Sequence, residues 1–141
     1  MHYVHTGNTV TSQAIGELWF PTWIGSDVDA LVQHYALSAS YEDPANPTGL
    51  VGRGALRAYF ERLLLWRKHW VWTQTKLAPV LHGFVFYWGA SVGTVSGKAV
   101  GVHGSCLVRV RNDLIVRQEV FMRKPKPFEA RIASYRQVER P

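Results

Sequence analysis

Two carboxylates stand apart from the other acidic residues by their surroundings. Asp43 opens a turn-forming run, Asp43-Pro44-Ala45-Asn46-Pro47-Thr48-Gly49, directly after Tyr41-Glu42. Glu119 sits in an otherwise apolar stretch, between Val116 and Val120-Phe121-Met122. A carboxylate in a dry, apolar site holds its proton more tightly, and that suits a group that shuttles protons. Each residue also has a plainer use. Asp before Pro commonly caps a turn, and a strand glutamate can be solvated or pair with an arginine on a neighbouring strand.

Other chemistries find less support. Cys106 is the only cysteine, which excludes an intramolecular disulfide and cysteine-based zinc spacing. No histidine is placed by sequence to activate it, so it reads as a small core residue. The six histidines are scattered without metal-ligand spacing, and no metal is expected. His2 and His5 lie in the polar start, His69 follows Arg67-Lys68, and His82 stands in a turn beside Gly83. His34, three residues after Leu31 and next to Tyr35, can face the interior, either as a satisfied core residue or in polar contact with a ligand or Asp43. His103 and Cys106 are three residues apart, so alternation puts them on opposite faces of a strand unless Gly104 carries a bulge. Gly49, Gly52 and Gly54 lack the strand, the Lys-Ser/Thr pair and the spacing of a phosphate-binding loop.

The elements that must position these residues fall into two halves. Thr11 or Ser12 is expected to cap a first helix with Ile15, Leu18, Trp19 and Trp23 on one face, kinked or ended near Phe20 by Pro21. Ser26 or Asp27 caps a second, with Val28, Leu31, Val32 and Tyr35 at helical spacing. An extended piece begins at Ser40-Tyr41 and gives way to the 43–49 turn cluster. A third helix follows Gly52 and Gly54, its stripe formed by Leu56, Tyr59, Phe60, Leu63 and Leu64. From Trp70 the period becomes that of strands: 71–77, ending before Pro79; 83–92; a turn at Ser96-Gly97; 100–111; a tight turn at Asn112-Asp113; and 114–122. Helices followed by a four-stranded meander predict an α+β fold, with helices packed on one face of an antiparallel sheet.

At 141 residues the chain is read as one domain, spanning 1–141, with peripheral tails at 1–10 and 124–141. Hydrophobic residues make up 47% and charged residues 18%, which excludes a disordered chain. Six Trp, six Tyr and six Phe suit a sheet protein with a large apolar interior or pocket. The net charge of +6 is concentrated after residue 108, where nine Lys/Arg face four Asp/Glu. No aromatic-interleaved basic motif accompanies that charge, so a solvated face is expected rather than a nucleic-acid interface. No apolar run is long enough to span a membrane, and MHYVHTGNTV does not read as a secretory signal, so a cytoplasmic setting is expected.

Helix, helix, Tyr41-Glu42-Asp43-Pro44, turn, then GRGALRAYF and a meander is a layout that resembles the nuclear-transport-factor-2-like superfamily, the cystatin-like α+β cone. Within it, DVDALVQHYALSASYEDPANPTGLVGRGALRAYFERLL, residues 27–64, resembles SnoaL-like polyketide cyclases and ketosteroid isomerases. The resemblance implies a curved antiparallel sheet with about three helices on its concave face and a cone-shaped pocket for a hydrophobic small molecule. It implies cofactor-free acid/base chemistry, whether isomerisation, cyclisation or dehydration; the alternative is a non-catalytic binding or dimerisation module of the same fold. Asp43 matches the isomerase base and Glu119 the cyclase carboxylate. The isomerase's oxyanion-hole donors fall at Trp19 and Cys106 and its supporting tyrosine at Phe60, and there the chain departs from the pattern. With His34, Tyr35, Tyr41 and Trp88, these residues are expected to line the pocket. A homodimer is expected through the outer sheet face, because Phe84, Phe86 and Trp88 alternate with Val85 and Tyr87, giving one strand two apolar faces.

Overall fold

The computed structural model describes residues 9–93 and 97–122. The expectations for residues 1–8, for Ser96 in the hairpin turn and for the tail after Met122 lie outside them. Three helices, α1 (Thr9–Ile24), α2 (Val28–Val32) and α3 (Arg53–Trp66), pack on one face of a six-stranded sheet. Its strands are β1 (Tyr35–Asp43), β2 (Asn46–Val51), β3 (Val71–Val80), β4 (Gly83–Gly93), β5 (Ala99–Arg111) and β6 (Leu114–Met122). They lie in the order β2-β1-β6-β5-β4-β3 in a curved, unclosed sheet.

The sheet is larger than the expected meander, and one pairing differs in direction. β1 runs parallel to β6, while every other pair is antiparallel. The parallel pair arises because α3 intervenes between the β1–β2 hairpin and β3, and the chain returns to β1 only at its last strand. Parallel neighbours require such a long connection.

Local expectations shift for identifiable reasons. α1 continues through Pro21 to Ile24, because Trp19 and Trp23, one turn apart, are both buried and pack edge-to-face at 6.3 Å. Their burial outweighs the single backbone bond that proline removes. Asp27 caps α2 as expected, accepting from the Ala30 amide at 3.1 Å, yet α2 is one turn long and Tyr35 opens β1 instead of closing the helix. The 43–49 cluster turns only at Pro44-Ala45, and residues from Asn46 form the edge strand β2. Edge position accommodates Pro47 there and Pro79 in β3, since neither needs to donate to a missing neighbour. Asn112 and Asp113, both with positive φ, make the predicted tight turn between β5 and β6.

The core lies between helices and sheet, with Leu31, Tyr35, Leu56, Phe60, Phe84, Val108 and Ile115 fully buried. Phe84, Phe86 and Trp88 face the helices, and Val85 faces away into a smaller cluster with Val80 and Leu107. Val85 is buried within the single chain, so that outer face is not bare.

Candidate functional site

Between α1 and the inner sheet face the aromatic side chains converge. Trp19, Phe20 and Trp23 come from α1, Trp72 from β3, Phe86 and Trp88 from β4, Cys106 from β5, Gln118 and Val120 from β6, Tyr41 from β1, and Arg67 from the end of α3. The cavity they enclose measures about 20 Å³, room for roughly one water. The rings themselves fill the cone: Trp19 packs on Phe84 and Phe86 at 5.4 and 5.5 Å, and Phe20 on Phe86 at 4.5 Å. Trp88 reaches across β5 because residue 104 is glycine. A Cβ there would lie 2.3 Å from the Trp88 ring and 2.8 Å from the Phe121 carbonyl oxygen.

One polar chain crosses this apolar wall. The Trp19 indole N–H donates to the Tyr35 hydroxyl at 2.9 Å, and Tyr35 donates in turn to Oε1 of Gln118. Gln118 Nε2 donates to Cys106 Sγ at 3.6 Å. Every member is neutral. Burial pushes the Tyr35 phenol well above its ordinary value and the Cys106 thiol up to about 11. Such a chain can present hydrogen bonds to a ligand's polar atom, but it holds no group that changes charge near neutral pH.

Asp43 stands at a separate corner, where β1 meets β2 and α3. Its Oδ1 accepts from the Asn46 backbone N–H at 2.8 Å and from Asn46 Nδ2 at 3.0 Å, closing the turn. Its Oδ2 accepts from the Tyr41 hydroxyl at 2.8 Å and the Tyr59 hydroxyl at 2.5 Å. Burial works to raise its proton affinity. The hydrogen bonds from Tyr59, Tyr41 and Asn46 outweigh burial and hold the carboxyl below its ordinary value of 3.8. The raised affinity expected of a base is therefore reversed, because four donors favour the ionised form. Burial and the adjacent carboxylate carry Tyr59 the other way, to about 12.

Glu119 lies on the opposite sheet face from the aromatic wall. It pairs in register with Leu107 of the outer cluster and with Glu42, and Arg117 bridges Glu42 and Glu119, the second at 3.4 Å. The inner position falls to Gln118, which the sequence reading did not single out. A register shift on β6 between Ile115 and Arg117 is responsible: Ile115 faces the core, and so do Gln118, Val120 and Met122. One extra residue exchanges the two faces, and no residue type in Leu114–Met122 announces it. Asp43 and Glu119 do share the margin of a cavity of about 350 Å³, open at the surface, with Glu42, Pro44, Pro47, Val120, Phe121 and Met122.

The other expected residues divide. Trp19, Tyr41, Trp88 and Cys106 line the cone, whereas Tyr35 and Phe60 are fully buried behind it. Phe60 packs edge-to-face or tilted against Trp23, Tyr35 and Tyr41 at 5.0–5.2 Å. His34 lies half-buried in the turn between α2 and β1. Its carbonyl accepts from the Ile115 N–H, and burial lowers the imidazole's proton affinity. His103 faces away from Cys106, since the β4–β5 register runs unbroken through Gly104. Phe86 lines the cone on the same strand face as Trp88, and Arg67 and Trp72 join the lining unforeseen. Trp72 and Phe86 carry a strand-parity signal, while Arg67 sits where a helix ends and carries none. Among the described residues no three His, Cys, Asp or Glu side chains are grouped to hold a metal, and no helix is long and apolar enough to cross a membrane.

The SnoaL-like domain model matches residues 17–118. The chain belongs to the SnoaL-like domain family, within the nuclear-transport-factor-2-like fold. Solved structures agree on the fold. An NTF2-like protein of unknown function from Cytophaga hutchinsonii has a TM-score of 0.66 at 16% identity, over 82% of this chain and 99% of that one. A candidate ketosteroid isomerase from Kribbella flavida has a TM-score of 0.62 at 16% identity, over 84% and 82%. A candidate polyketide cyclase from Xanthomonas campestris has a TM-score of 0.67 at 13% identity, over 88% and 98%. No curated protein matches the sequence.

Proposed function

We propose that this SnoaL-like domain binds a flat, hydrophobic small molecule in its aromatic cone and recognises it through the Trp19–Tyr35–Gln118–Cys106 chain. The observation that carries this reading is the contrast inside the chain's own polar groups. The Trp19–Tyr35–Gln118–Cys106 chain in the cone wall is neutral and fit to hydrogen-bond a ligand, and the carboxylate expected to be a base has its oxygens occupied by four donors. Entry requires the aromatic side chains to part, because ligand pockets typically need about 300 Å³ or more. Calorimetric titration with 2-naphthamide, a planar neutral amide, tests it. Saturable binding that Trp88→Ala weakens by about tenfold or more supports the cone as the site. No binding, or binding indifferent to Trp88, overturns it.

A second reading, a cofactor-free acid/base enzyme of the isomerase, cyclase or dehydratase kind, is favoured by the cavity that Asp43 and Glu119 both border. Deuterium uptake from solvent into a β,γ-unsaturated ketosteroid separates the two. Uptake that Asp43→Asn lowers by about 10²-fold or more favours turnover; no uptake favours binding alone.

A further inference from the structure

We propose that Arg67 is an anion anchor at the mouth of the aromatic cone, and that the ligand class is a planar apolar molecule bearing one carboxylate. This rests on the cone being the binding site.

Arg67 caps the C-terminus of α3, and the turn after it leads directly to Trp70. Its guanidinium lies 4.7 Å from the centre of the Trp70 ring and 5.9 Å from that of Trp88. Trp72 completes the group, 5.7 Å from Trp88 and 6.2 Å from Trp70. Stacking on ring faces uses the plane of a guanidinium and leaves its edge, with the N–H donors, available. Among the described residues no carboxylate lies within ion-pair distance of Arg67, and no acceptor takes a hydrogen bond from its guanidinium. The chain's other described arginine pairs, Arg57 with Asp29 and Arg117 with Glu42, show what a satisfied guanidinium looks like here.

Position gives that free edge a purpose. Arg67 borders the cone and also a second cavity of about 60 Å³, lined by Trp23, Ile24, Ser26, Leu64, Lys68, Trp70 and Trp72. Trp23, Arg67 and Trp72 are common to both and form the partition between them. The outer cavity has two cations, one hydroxyl and no acidic side chain in its lining. A carboxylate entering there meets Arg67 edge-on, in the fork geometry that suits bidentate pairing, while an attached ring lies against the tryptophans. Burial among the rings strengthens the pair relative to one in open water. A neutral ligand gains only the apolar contacts.

The experiment compares 2-naphthoate with 2-naphthamide, which have the same ring and differ in charge, by calorimetry at low and high salt. In the native protein naphthoate is expected to bind about tenfold or more tighter than naphthamide, with the margin shrinking as salt rises. Arg67→Gln should bring the affinity ratio close to one. Arg67→Lys, which keeps the charge without the fork, should leave an intermediate ratio. Melting curves confirm that each variant is folded, and Lys68→Gln should keep most of the preference. Equal binding of both probes by the native protein overturns the anchor and leaves the cone reading standing, as does a preference that survives Arg67→Gln. Binding of neither probe overturns both.

Discussion

The aromatic cone and the Asp43 corner are built from the same kinds of residue and behave in opposite ways. Both bring tyrosine hydroxyls to a polar partner. In the cone, Tyr35 is held between Trp19 and Gln118, and no charge is present on the chain. At the corner, Tyr41 and Tyr59 converge on a carboxylate already held by Asn46, and the result is a stabilised anion. A neutral acceptor leaves hydrogen-bonding capacity to share with a ligand, whereas a carboxylate with four donors gains little from a fifth partner and resists protonation. On the proposed reading, ligand recognition belongs to the cone; turn closure belongs to the corner.

The largest expected effect tests whether the two regions share one scaffold. Phe60 touches Trp23 on the cone side and Tyr41 and Tyr59 on the corner side. Phe60→Ala should cost about 3–5 kcal/mol in urea unfolding. A loss below about 1 kcal/mol would mean that the two regions are held independently.

Asp43→Asn sharpens the contrast through pH. The folded carboxyl titrates below its ordinary 3.8, so its stabilisation is present above that value and lost as pH falls below it toward the folded value. The melting temperature of the native protein should drop more steeply below about pH 4 than that of the variant. At neutral pH the variant should lose about 1–3 kcal/mol, since one oxygen becomes a donor facing tyrosine hydroxyls. Parallel pH profiles would break the account of the corner.

Tyr59→Phe removes one of the two phenols on Asp43 and should cost about 1 kcal/mol. The tyrosine's folded value near 12 lies above its ordinary 10.0, so its contribution persists below pH 10 and disappears as pH rises toward 12. Ultraviolet titration should lose one late-titrating phenol in the variant. The smallest effect is expected at Glu119→Gln, about 1 kcal/mol or less, because the buried amide keeps the side chain's shape and a hydrogen-bonding oxygen and Arg117 retains Glu42. A thermal-shift loss equal to that of Asp43→Asn would show that the outer bridge matters as much as the corner.

Much of this architecture is determined by the sequence alone. The stripe Leu56, Tyr59, Phe60, Leu63 and Leu64 marks a helix that buries one face, and Phe84, Phe86 and Trp88 mark a strand with a core-facing side, since both patterns are local and periodic. Asn112-Asp113 marks its turn because few residues tolerate positive φ at two successive positions. The motif through Asp43-Pro44 marks the family. What the tertiary structure decided is which atoms face which space. The β6 shift puts Gln118 rather than Glu119 in the cone, because strand parity is reset by a single unpaired residue that composition does not reveal. Partners distant in sequence set proton affinity: Tyr59, sixteen residues from Asp43, turns a candidate base into a stable anion. Arg67 reads as an ordinary helix-terminal cation until Trp70, from the turn before β3, and Trp88, from β4, are brought beneath it. Local patterns specify elements, whereas charge and hydrogen bonding at a site depend on the three-dimensional neighbours that only packing supplies.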